Sequence, residues 1–199
     1  MNILRTVLFA GIFVPALYPQ ADWPAYAHDP GGQRYSPLNK INATTISRLR
    51  PAWQYDIDPG NVNLDAATRF LTSTEAVPIM VGGLLYTPTL HHSIVALQPE
   101  TGKEIWKYDL GKAAGAPLRG VTYWRGDSQA PPQILAGTSD GRLLALNAKT
   151  GKLVPGFGNE GTVDLRAGVT DKFPTAPYHM SSPGTIYRNF IITGAQGKE

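Results

Sequence analysis

The chain has 199 residues, enough for one domain with a real core and too few for two large ones. Hydrophobic residues make up 42% and charged residues 17%, which excludes a disordered chain, and 21 glycines with 17 prolines favour short strands and many turns over long helices. A net charge of +3 on singly scattered Lys and Arg excludes a nucleic-acid-binding stripe, and the absence of cysteine excludes disulfides, Cys-ligated zinc and a thiol nucleophile.

Residues 1–21 have the layout of a secretory signal peptide: one positive charge within Met1 to Arg5, an apolar run of 13 residues from Thr6 to Tyr18, and small residues ending at Ala21. The run is shorter than the roughly 20 apolar residues that span a bilayer. Export to the bacterial periplasm is therefore expected, with a mature chain of residues 22–199. Asp22 to Arg50 is polar and rich in Pro and Gly, an extended lead-in with one short helical turn expected within Ile41 to Leu49. Leu49, Trp53 and Tyr55 are expected to begin a strand.

From Glu75 onward the pattern is strands. Val77 to Val81 and Leu84 to Thr87 flank Gly82-Gly83, a two-residue hairpin loop. Ser93 to Leu97 and Glu104 to Leu110 follow. Ile134 to Gly137 and Leu143 to Asn147 flank Asp140-Gly141, a second hairpin signal. Ile186-Tyr187 and Phe190 to Thr193 flank Arg188-Asn189, a third. No segment of 12 or more residues holds a helical period.

An internal repeat sets the architecture. Ala96-Leu97-Gln98-Pro99-Glu100-Thr101-Gly102-Lys103 recurs 49 residues on as Ala145-Leu146-Asn147-Ala148-Lys149-Thr150-Gly151-Lys152, with five of eight positions identical. Each copy follows an apolar strand and a hairpin signal. A period of about 40 to 50 residues holding four short strands is that of a β-propeller blade. The fold class is all-β, a partial β-propeller.

The first copy continues to Trp106, and Ala96-x-x-x-x-Thr101-Gly102-x-x-x-Trp106 resembles the tryptophan-docking motif of quinoprotein dehydrogenases. Pro155 stands where the second copy would carry its Trp. Further segments match that family in order: Asp22-Trp23-Pro24, Arg34-Tyr35-Ser36-Pro37-Leu38, Leu49-Arg50-Pro51-Ala52-Trp53, Glu75-Ala76-Val77-Pro78-Ile79, Arg119-Gly120-Val121-Thr122-Tyr123-Trp124, His179-Met180-Ser181-Ser182-Pro183 and Gly194-Ala195-Gln196-Gly197-Lys198-Glu199. The resemblance implies the first blades of an eight-bladed ring that oxidises an alcohol or sugar with pyrroloquinoline quinone and calcium, passing electrons to cytochrome c or ubiquinone. Family members are several times longer, so the resemblance implies an N-terminal portion, inactive alone, with the catalytic Asp beyond residue 199.

By the same resemblance, Glu75, Arg119, Ser181, Gln196 and Gly197 contact the cofactor and Glu199 binds calcium. The residue types suit those roles. An Arg is an always-charged, bidentate partner for a carboxylate. A carboxylate such as Glu75, just before an apolar strand, accepts a hydrogen bond, and a Ser hydroxyl donates one. Calcium takes carboxylate and carbonyl oxygens. Alcohol-type members carry adjacent cysteines before this Arg, and glucose-type members carry a nearby His. Lys112 to Leu118 has neither, so the substrate subtype stays open.

Adjacent His91 and His92 on a strand point to opposite faces and make no chelating pair. The rival reading is a non-catalytic propeller of the same repeat that acts as a protein-binding scaffold, as in the outer-membrane assembly lipoprotein. It does not need Glu75, Arg119 and Glu199 to converge.

Overall fold

The computed structural model of the chain describes residues 22–29, 31–57, 75–90, 93–111, 119–176, 178, 180 and 182–194. The expected signal peptide, residues 1–21, lies outside them. Among the described residues no helix is long and apolar enough to cross a membrane.

The strands form successive radial units. β1 (Ile79–Val81), β2 (Leu84–Pro88), β3 (Ser93–Leu97) and β4 (Glu104–Asp109) make one four-stranded antiparallel sheet in chain order. β5 (Thr122–Trp124), β6 (Gln133–Gly137), β7 (Arg142–Asn147) and β8 (Thr162–Asp164) make the second. β9 (Thr185–Tyr187) and β10 (Phe190–Ile192) open a third as a hairpin. Two blades and the start of another are thus the partial propeller that the repeat predicts. The expected helical turn is a 3₁₀ turn at Ile46–Arg48.

The continuous apolar runs are strands buried on both faces. Ile134 and Ala136 of β6, with Leu144 and Leu146 of β7, face the first blade's Ile79, Tyr86, Ile94 and Ala96. The alternate residues Leu135, Leu143 and Ala145 pack with Met180 and, more loosely, with Ile186 and Ile191 of the third unit. The period-2 geometry of a strand divides one sequence run between two blade junctions.

Tryptophan ties the junctions. The Trp106 indole donates from Nε1 to the Ala148 carbonyl at 2.9 Å, and the Tyr86 hydroxyl donates to the same carbonyl at 3.2 Å. A Cβ on Gly151 would lie 2.6 Å from the Trp106 ring, and Gly151 has φ +70°, so both contact and backbone select glycine. Trp53 does the same one blade earlier: Nε1 donates to the Pro99 carbonyl at 2.7 Å, and a Cβ on Gly102 would run into its ring.

One expectation needs correction. Leu49, Trp53 and Tyr55 begin no strand; residues 49–56 run without ladder pairing, and Trp53 is held by its side chain instead. After the second Thr-Gly turn the chain pairs back only briefly, by the Leu146↔Leu153 bridge and the Val154 N–H to the Ala145 carbonyl. Pro155 has no N–H to donate, and the chain turns through residues 155–161 before β8 resumes the pairing at Leu144↔Thr162.

Candidate functional site

The first strand of each unit, β1, β5 and β9, is preceded by a segment that carries one of the polar residues of the site. Glu75 stands four residues before β1, Arg119 three before β5, and Ser182 three before β9. These three entry segments lie side by side. Arg119 donates from Nε to Glu75 Oε2 at 3.2 Å and from Nη1 to Ser182 Oγ at 3.4 Å. The side chains of Arg119 and Glu75 are 51% and 68% exposed, so this pair contributes little stability, within about 1 kcal/mol. Its value is positional.

Backbone contacts fix the three segments to one another. The Val77 N–H donates to the Arg119 carbonyl at 3.2 Å, and Thr122 Oγ1 donates to the Gly184 carbonyl at 2.8 Å. Gly120 has φ +131°, and a Cβ there would stand 3.0 Å from the Val77 carbonyl oxygen and 3.6 Å from Pro183. Only glycine lets the chain carrying Arg119 run this close to the chain carrying Glu75.

A cleft of 550 Å³ opens beside this arrangement, lined by Tyr26, Asp29, Arg119, Tyr123, Ser182 and Thr185 among others. Glu75 is joined to it through Arg119. Trp23, bridged to Met80 through paired backbone bonds of 2.7 and 3.0 Å, anchors the lead-in that supplies Tyr26 and Asp29. Burial acts to raise the Asp29 pKa, but the side-chain bond to His28 and backbone bonds to Gln33 and Gly31 outweigh it and hold the carboxyl below its usual range. Burial, together with the Asp22 charge, pushes the Tyr123 hydroxyl up. The cleft thus presents the Arg119 cation and the Asp29 carboxylate together with hydroxyls and aromatic surface.

Of the residues expected to bind the cofactor, Glu75 and Arg119 meet directly. Ser181, Gln196, Gly197 and the calcium candidate Glu199 lie outside the described residues, as do His91, His92, His179 and the Lys112 to Leu118 stretch. Among the described residues no three His, Cys, Asp or Glu side chains gather as a metal site. Sequence reasoning missed Ser182. Its signal was its distance before β9, which matches that of Arg119 before β5.

Residues 23–199 match the family model described as glucose/ethanol/alcohol dehydrogenase, beta-propeller domain. The chain belongs to this quinoprotein propeller family. It is 34% identical over 200 residues to quinoprotein glucose dehydrogenase of Escherichia coli (strain K12), covering 89% of this chain and 24% of that one. It is 37% identical over 201 residues to the glycerol dehydrogenase large subunit of Gluconobacter oxydans (strain 621H), covering 90% of this chain and 26% of that one. Among solved structures, the quinohemoprotein alcohol dehydrogenase from Comamonas testosteroni superposes with a TM-score of 0.66 at 26% identity, covering 89% of this chain and 23% of that one. This quinoprotein propeller chain spans about a quarter of the length of the relatives it matches.

Proposed function

We propose that this chain forms the cofactor-holding first blades of a periplasmic dehydrogenase that oxidises an alcohol or sugar with pyrroloquinoline quinone. The observation that carries the reading is the meeting of Glu75 and Arg119, just ahead of the first strands of neighbouring blades, beside the cleft. The residues present fit the group. Arg119 keeps guanidinium donors beyond those given to Glu75 and Ser182, and these suit a cofactor carboxylate. Gly120 removes the side chain that would otherwise crowd the approach.

When bound, the quinone supplies the oxidant that accepts hydride equivalents from the substrate carbon. This chain's residues bind and orient. Arg119 neutralises a carboxylate, and Glu75 holds the guanidinium in place. Ser181, Gln196 and Gly197 complete the cofactor contacts in this proposal. Calcium, with Glu199 as one ligand, enters it through the family resemblance alone, as do the catalytic Asp of a later blade and cytochrome c or ubiquinone as electron acceptor.

The test is titration of the purified chain with pyrroloquinoline quinone, followed by quenching of protein fluorescence, for the native chain and for Arg119→Gln. Loss of a charge-assisted pair is expected to weaken binding about 10- to 100-fold. Equal affinity of the two proteins would remove Arg119 from the site, and no binding by the native chain would remove the reading.

A further inference from the structure

We infer that Ser182 is a positioning residue for Arg119, fixing the guanidinium from the third blade while Glu75 fixes it from the first. The inference rests on the reading that Arg119 receives a cofactor carboxylate. An arginine side chain has many rotamers, and ordering one on binding carries an entropic cost. Arg119 is half exposed, so packing alone does not order it. Two hydrogen bonds do: Nε to Glu75 and Nη1 to Ser182. They come from opposite sides in the ring of blades, with β1 and β9 flanking β5. Both partners stand on anchored backbone, through Val77 to Arg119 on one side and Gly184 to Thr122 on the other. Pro183, which follows Ser182, has a locked φ and stiffens the segment that carries the hydroxyl. With two donors engaged, the remaining N–H groups of the fork are presented in a settled plane.

Two measurements on the full chain test this. The first needs no ligand: the side-chain Nε–H signal of Arg119 in NMR. Ser182→Ala is expected to broaden it and speed its exchange with solvent, and Ser182→Thr, which keeps the hydroxyl, to restore it. The second is affinity for pyrroloquinoline quinone and for its trimethyl ester, which lacks the charged carboxylates. Ser182→Ala is expected to weaken the free acid about two- to tenfold, to leave the ester unchanged, and to add nothing to Arg119→Gln. An unchanged Arg119 signal, equal losses for acid and ester, or full additivity with Arg119→Gln would overturn the role of Ser182. If Arg119→Gln alone weakens the free acid, the cofactor reading survives that failure. If the native chain binds no quinone, both fall.

Discussion

The Trp106 ring lies against the bare α-carbon of Gly151, so one blade's outer strand closes on the next blade's turn with no side chain between them. The Ala148 carbonyl in the same turn takes hydrogen bonds from both Trp106 and Tyr86. This junction sets the angle between β1–β4 and β5–β8, and hence the approach of Glu75 to Arg119.

Gly151→Ala is accordingly expected to destabilise the chain, by the clash with Trp106 and by the strain of φ +70°. The loss should be roughly 1–3 kcal/mol. Trp106→Ala should cost about 3–5 kcal/mol through the cavity it leaves. The double variant should lose less than the two losses added, because removing the ring relieves the clash. Urea unfolding of the four proteins checks this, and simple additivity would mean that the two positions do not touch.

Alkaline pH should loosen the same junction. Burial, with the neighbouring Tyr123 adding to it, pushes the Tyr86 hydroxyl up to about 12 from its ordinary 10. The folded state therefore holds the proton where the unfolded chain has lost it. Stability is full below pH 10, falls as the pH rises between about 10 and 12, and levels off above. Tyr55, raised to about 12 by burial and by its bond to Glu104, acts in the same direction. Urea midpoints measured across this range should fall, and Tyr86→Phe should flatten the slope. An unchanged slope would remove Tyr86 as its source.

Much of the fold was legible because it rests on local chemistry. Gly82-Gly83, Asp140-Gly141 and Arg188-Asn189 mark three tight turns, and each sits between strands in the structure. The Thr-Gly repeat gave the blade period. β8 was not legible, because Pro155 interrupts the run and the strand reforms only at Thr162, through pairing that no local pattern encodes. Leu49, Trp53 and Tyr55 point to a strand in the sequence, yet Trp53 is held by its side chain instead. Its docking on Gly102 is a contact 49 residues away, which parallels that of Trp106 on Gly151 and was visible only once the blades were stacked. At the site, residue types identified Glu75 and Arg119, whereas Ser182 depended on knowing where β9 begins.

The third unit carries an apolar face. Tyr187, Phe190 and Ile192 lie on one side of the β9–β10 hairpin and are 58%, 70% and 59% exposed, and among the described strands β10 pairs with β9 alone. Such an edge favours association. The chain is expected to bind a hydrophobic dye and to self-associate in light scattering, and the double variant Phe190→Lys, Ile192→Lys should reduce both. A native chain that stays monomeric and binds no dye would contradict this.

Gly120→Ala should disturb the site more than the fold. The added methyl meets the Val77 carbonyl and forces the Arg119 segment away from Glu75. Quinone affinity should fall about tenfold or more, as it does when a charge-assisted pair is lost, while the urea midpoint shifts far less than in Trp106→Ala. A large stability loss with native affinity would mean that Gly120 serves the core instead.

Residues just ahead of the first strands of three units are expected to converge on one carboxylate-bearing quinone. A crystal structure of the chain with pyrroloquinoline quinone tests it most directly. The expected result is a cofactor carboxylate within hydrogen-bond distance of the Arg119 guanidinium, with Glu75 still paired to Nε. A quinone seated elsewhere, or Arg119 turned away from it, would rule this convergence out.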